Sequence, residues 1–180
     1  MKKLIMSGAL AVALVAPASA AAADPSPTDF KNAAKYCKAL KSASGSSSFA
    51  TMFGTKKNAY GKCVSQTAKK TATEDAAQQK TAKSQAVEEC RAMKIEGSKN
   101  AFGKCVSEKA KAKKAAADKE DEAQQDDRVD AATSCKQEKK DAEKFAAAYG
   151  SKKNAFGKCV SKTAKELAAE RKAERGTAAA

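Results

Sequence analysis

One nine-residue stretch constrains this chain more than any other feature. Lys57-Asn58-Ala59-Tyr60-Gly61-Lys62-Cys63-Val64-Ser65 returns at Lys99 to Ser107 and at Lys153 to Ser161, with eight positions identical and the ninth Tyr or Phe. The match continues to Ala68-Lys69, Ala110-Lys111 and Ala164-Lys165. A Gly and a basic turn precede each copy, at Gly54, Gly97 and Gly150, and one further cysteine lies upstream of each. A chain with this self-similarity is assembled from a repeated unit rather than folded as one continuous globule.

The cysteines fall into three couples: Cys37 with Cys63, Cys90 with Cys105, and Cys135 with Cys159. Six cysteines admit 15 pairings. A duplicated unit most simply closes on itself, so the repeat selects three bridges across 26, 15 and 24 residues. Each constrains the unfolded chain by about 3 to 4 kcal/mol in the loop-entropy account. Zinc is the rival use of cysteine, and it calls for C-x-x-C spacing or histidine. The chain has neither, so no metal ligands are assigned.

Oxidised cysteines fit the start of the chain. Met1-Lys2-Lys3, an apolar run from Leu4 to Val15 and Ala18-Ser19-Ala20 have the form of a secretory signal peptide cleaved near Ala20. The apolar run is too short to span a bilayer comfortably, and no other hydrophobic stretch offers a transmembrane segment. The mature chain is expected to be exported, with a net charge of +12 out of +14 for the full 180 residues. Leu, Ile, Val and Phe number 20 against 43 Ala, below what one ordinary core requires. Their clustering around the cysteines points instead to small stapled units.

The repeat resembles a K-N-A-F-G-K-C-V-S cysteine motif of uncharacterised exported bacterial proteins. The resemblance implies export and repetition, and it carries no activity and no functional residues.

Local patterns around the cysteines are helical. Phe156, Cys159, Val160, Thr163 and Leu167 lie on one helical face behind Asn154 as N-cap. Ala131, Cys135, Ala142, Phe145 and Tyr149 fall near another, and Gly150 is a helix stop. Cys90 and Cys105 sit symmetrically about Gly97-Ser98, the register of a cross-linked helical hairpin. Aromatics at i and i+4, Phe49 with Phe53 and Phe145 with Tyr149, predict a short extra helix in the first and third copies. Ser44 to Ser48 is expected to be a loop.

Between the units, residues 65–86 and 107–128 lack any bulky apolar side chain and any Gly or Pro. They read either as unbroken helices, polar on every side and outside any core, or as partly disordered segments. The fold class is therefore all-α: three disulfide-stapled helical-hairpin repeats joined by long polar helices, non-compact as a whole. Its expected divisions are a signal peptide over 1–20, a disordered mature N-terminus over 21–29, repeat unit 1 over 30–70 and a polar helical connector over 71–86. Repeat unit 2 over 87–112, a charged connector over 113–127, repeat unit 3 over 128–175 and a disordered tail over 176–180 complete the chain.

The Lys-rich turns superficially resemble a phosphate-binding P-loop, but six residues separate Gly150 from Gly157 and five separate Gly97 from Gly103, where four are needed. Cys also stands where the Mg-binding hydroxyl belongs, which removes nucleotide hydrolysis. A weaker capacity remains. Lysines beside a helix N-terminus attract anions, and Lys56, Lys57 and Lys62, Lys99 and Lys104, and Lys152, Lys153 and Lys158 make three similar candidate anion-binding clusters. Linked in one chain, such sites gain avidity for a polyanion. The bland reading gives these residues to helix capping, packing on the bridges and solvation.

Charge is uneven, at +7 over 24–73, +4 over 74–114 and +1 over 115–180. The acidic block from Asp118 to Asp130 reads as a solvated connector; it has no calcium-loop pattern. With no histidine, no nucleophile motif and no cofactor motif, the chain is expected not to be an enzyme. Its expected partners are acidic cell-wall polymers, extracellular DNA or anionic lipid headgroups, with no small-molecule substrate identifiable. A structural spacer of the cell envelope with no specific ligand is the alternative.

Overall fold

The computed structural model describes residues 24–54, 57–93 and 99–178. The expected signal peptide, Lys56 and the Gly97-Ser98 turn lie outside them, as does the side chain of Lys99. The described residues form α1 (Pro27–Ser44), α2 (Ser46–Phe53), α3 (Ala59–Ala92), α4 (Lys99–Glu138), α5 (Ala142–Tyr149) and α6 (Ala155–Ala178).

α1 starts inside the segment expected to be disordered, because Ser26 and Asp29 form a reciprocal cap. The Ser26 N–H donates to the Asp29 carboxylate at 2.6 Å and the Ser26 hydroxyl oxygen accepts from the Asp29 N–H at 3.3 Å. Pro27 supplies a first-turn residue with φ already set. At the other end, the expected Ser44–Ser48 loop shrinks to Gly45, whose φ of +76° breaks the helix in one residue. The Ser44 hydroxyl donates to the Leu40 carbonyl at 2.7 Å, and Ser48 is buried beneath Lys139, whose ammonium donates to it at 3.2 Å.

Both short helices are present. α2 ends at Gly54 and α5 at Gly150, each with positive φ, and their ring pairs match closely: Phe49–Phe53 centroids 4.9 Å apart, Phe145–Tyr149 5.0 Å. The face proposed for Ala131 through Tyr149 is divided between two helices, because α4 stops at Glu138 and α5 restarts behind Asp141, whose carboxylate accepts from the Lys144 N–H at 3.2 Å.

The three bridges join Cys37 to Cys63, Cys90 to Cys105 and Cys135 to Cys159, with Cα separations of 6.0, 6.1 and 6.0 Å. They staple α1 to α3, α3 to α4, and α4 to α6. The result is an all-α, disulfide-crosslinked helical bundle.

The expectation of separate units does not hold. One core gathers Tyr36, Leu40 and Phe49 from the first unit with Phe145, Phe156 and Val160 from the third, around both flanking bridges. Neither unit carries enough bulky side chains to hide its own apolar face, so the two faces cover each other.

The connectors are helical throughout. They are not polar on every side, because Ala68, Ala72, Ala82 and Ala86 are buried on α3, which packs on both α1 and α4. Ion pairs join α3 to α4 along this length: Lys113 and Lys109 to Glu89 at 2.6 and 3.1 Å, and Lys114 to Asp75 at 3.3 Å. The acidic block does more than solvate. Arg171 of α6 donates to Glu120 at 2.9 Å and to Asp127 at 2.7 Å, and Arg175 to Glu120 at 2.9 Å, holding α6 against α4. Helix α6 continues to Ala178, so the tail expected to be disordered from residue 176 is helical where it is described.

Candidate functional site

α3 and α6 both pack on the rest of the bundle but not on each other, so a groove runs between them with α1 and α4 as its floor. α2 touches both walls at one end and closes it; the Met52 Cγ lies 3.9 Å from where a Cβ on Gly157 would stand. The closed stretch has a volume of about 900 Å³, and a second stretch of about 540 Å³ continues it away from α2. These volumes fall in the range of small-molecule sites.

The groove has two chemical characters. Leu40, Met52, Phe53 and Val160 make the closed end apolar. Lys70, Arg128, Lys153, Lys158, Lys162 and Lys165 line the same stretch with Glu166 as the one carboxylate among them, a net charge of +5. Lys162 reaches Glu166 at 4.0 Å, and Lys70 pairs with Glu74 at 3.4 Å. Among the described residues no carboxylate lies in ion-pair reach of Lys153, Lys158 or Lys165, so those three charges face solvent unneutralised. At the floor, burial pushes the Tyr36 phenol above its ordinary pKa and the Arg128 guanidinium beside it acts in the opposite direction. The phenol therefore remains a neutral donor at neutral pH.

Six residues belong to both stretches: Tyr36, Thr67, Lys70, Arg128, Ser161 and Lys165. They come from α1, α3, α4 and α6, and they supply three cations and three hydroxyls at the junction of the apolar and polar parts.

The lysines singled out by the sequence have different fates. Lys153 and Lys158 line the groove, and Lys62 lines an adjoining hollow of about 520 Å³ on the other side of Met52 and Phe53. Lys57 and Lys152 are exposed on the turns before α3 and α6. Lys104 is exposed beside the Cys90–Cys105 bridge, 27 residues of helix beyond Cys63, or about 40 Å at 1.5 Å per residue. Units 1 and 3 are thus brought together, and unit 2 is not. Lys70, Arg128, Lys162 and Lys165 were missed. A signal existed for part of this set, because Lys158, Lys162 and Lys165 are spaced to share one face of a helix.

A second cluster of donors occurs at the third bridge, where one ligand atom from each of Cys135, Glu138 and Cys159 lies within 4.8 Å of the others. Both sulfurs are joined to each other, so in the oxidised chain neither offers the thiolate that a soft metal ion needs. Glu138 instead accepts a hydrogen bond from the Tyr149 hydroxyl at 3.1 Å. Burial, and then Glu138, raise the Tyr149 pKa.

No helix among the described residues is long and apolar enough to cross a membrane. Models of known protein families, curated proteins and solved structures were each compared with the chain, and none matched.

Proposed function

We propose that this is an exported, non-enzymatic cationic repeat protein that binds acidic polymers of the envelope or extracellular space at the mouth of the α3–α6 groove. The observation that carries the reading is the gathering of Lys62, Lys153 and Lys158 around Met52 and Phe53, with no carboxylate in reach of Lys153 or Lys158 among the described residues. An extended anion laid across this rim meets ammoniums from two repeats at once, which one isolated turn does not offer. Contacts of this kind are screened by salt, so the affinity falls as ionic strength rises.

The test is retention of the oxidised chain on an immobilised polyphosphate matrix, read as the salt concentration that elutes it. Lys62→Gln/Lys153→Gln/Lys158→Gln is expected to elute at clearly lower salt than Lys69→Gln/Lys80→Gln/Lys83→Gln, which removes the same charge from exposed positions of α3. Equal elution of the two variants contradicts a site at the rim. A spacer role is the second reading; it draws on the α3–α4 hairpin, which continues about 40 Å beyond the shared core on alanine packing and one bridge.

A further inference from the structure

A polyanion at the rim has no use for the closed apolar end of the groove. That end is floored by Leu40 and Val160 and capped by Met52 and Phe53. Apolar surface kept concave inside a small, highly charged bundle suits an apolar chain. The residues common to both stretches add what an anionic head would need: Lys70 from α3, Arg128 from α4 and Lys165 from α6, with the hydroxyls of Thr67, Ser161 and Tyr36. A guanidinium matches a carboxylate in shape as well as in charge. Beyond this belt Glu74, Asp121 and Asp127 line the second stretch with Lys172 as its one further cation, so the cations are concentrated at the belt.

We propose that the groove between α3 and α6 holds one single-chain fatty acid, its acyl chain in the end closed by α2 and its carboxylate among Lys70, Arg128 and Lys165. The ligand lies along the groove with its head where the cations meet it. Its affinity then has two separable parts. One grows with each methylene buried, and the other depends on the belt and is the same for every chain length.

The experiment is calorimetric titration of the full oxidised chain with octanoate, decanoate, dodecanoate and tetradecanoate, each below its micelle concentration. One molecule is expected per chain. Each added methylene tightens binding about three- to four-fold until the chain fills the closed end, after which affinity levels off. Dodecyltrimethylammonium, with the same tail and opposite charge, binds at least about ten-fold more weakly. Lys70→Gln/Lys165→Gln weakens all four acids by a common factor and leaves the chain-length slope intact. Met52→Trp moves the levelling-off point to a shorter chain, and unchanged helicity shows that this variant is folded.

Affinity independent of chain length, uptake of many molecules per chain, or equal binding of the ammonium amphiphile would overturn the assignment. So would sedimentation with anionic phospholipid vesicles in the absence of any monomer titration, since that locates the lipid at a surface and not in the groove. Polyphosphate retention in the presence of saturating dodecanoate separates this proposal from polymer binding. Retention is expected to persist, because Lys62, Lys153 and Lys158 lie outside the belt, and its abolition by dodecanoate contradicts an acyl chain held separately from the rim.

Discussion

Units 2 and 3 carry the same nine-residue motif and put it to different uses. In unit 3 the motif aromatic, Phe156, is 3% exposed and Val160 is 4% exposed, both packed in the core shared with unit 1. In unit 2 the equivalent Phe102 and Val106 are half-buried and stand outside that core. The motif aromatic of unit 1, Tyr60, is 40% exposed and donates its hydroxyl to the Ala34 carbonyl at 3.1 Å. Identical residues therefore carry a bridge in every unit, while the motif aromatic is buried in the shared core in unit 3 alone.

The largest expected effect sharpens this contrast. Phe156→Ala removes a ring from the shared core and should cost about 3 to 5 kcal/mol in denaturant unfolding. Phe102→Ala removes the same ring from the same motif position and should cost less than half as much. Equal losses would break the comparison.

An intermediate effect concerns the bridges. Cys90→Ser/Cys105→Ser releases a 15-residue loop, worth about 3 kcal/mol in the chain-entropy account. We expect that loss to appear as faster hydrogen exchange over residues 82–92, with residues 36–40 and 156–160 unaffected, because the far end of the hairpin can open alone. Cys135→Ser/Cys159→Ser should expose both units together. If the two double variants give one exchange pattern, the hairpin and the core are a single cooperative body.

The smallest effect is acidic. Hydrogen bonding to Arg171 holds the Glu120 carboxyl below its ordinary pKa, with Arg175 contributing in the same direction. A lowered folded-state value means that the contact stabilises fully above the unfolded value, near about 4.3, and is lost as pH falls through the depressed one. The protection factors of residues 166–176 of α6, with the intrinsic exchange rate divided out, should therefore fall below about pH 4 before those of residues 156–160 respond. Arg171→Gln should remove that acid-induced fall in protection, and an unchanged acid profile in this variant contradicts the assignment.

Local features were legible in the sequence. Cysteine couples, the aromatic i, i+4 pairs and Gly150 fixed the three bridges, both short helices and one helix end, since each is written within a few turns of chain. The cap at Ser26 was equally local, in Ser26-Pro27-Thr28-Asp29, and it was overlooked in a segment dominated by Pro and Ala. What the sequence did not reveal is which unit meets which. Leu40, Phe49, Phe145 and Phe156 give the same pattern whether each unit folds alone or two fold together. The alanine stripe of α3 was hidden for another reason, because Ala68, Ala72, Ala82 and Ala86 are outnumbered by charged neighbours and carry little apolar weight. Arg171 reaches Glu120 and Asp127 across 51 and 44 residues, a separation no local periodicity reports. The groove inherits this limit. Lys153 and Lys158 stood out because they belong to a repeat, while Lys70, Arg128 and Lys165 acquire a common role only when α3, α4 and α6 come together.

Native-state hydrogen exchange of Phe49→Ala tests the shared core most directly, because Phe49 belongs to unit 1 and is 1% exposed within that core. If units 1 and 3 close on each other, the amides of residues 156–161 in α6 lose protection in step with those of residues 36–40 in α1. If instead α6 keeps its protection while α1 opens, the units fold separately and the groove between them is not a fixed feature of the molecule.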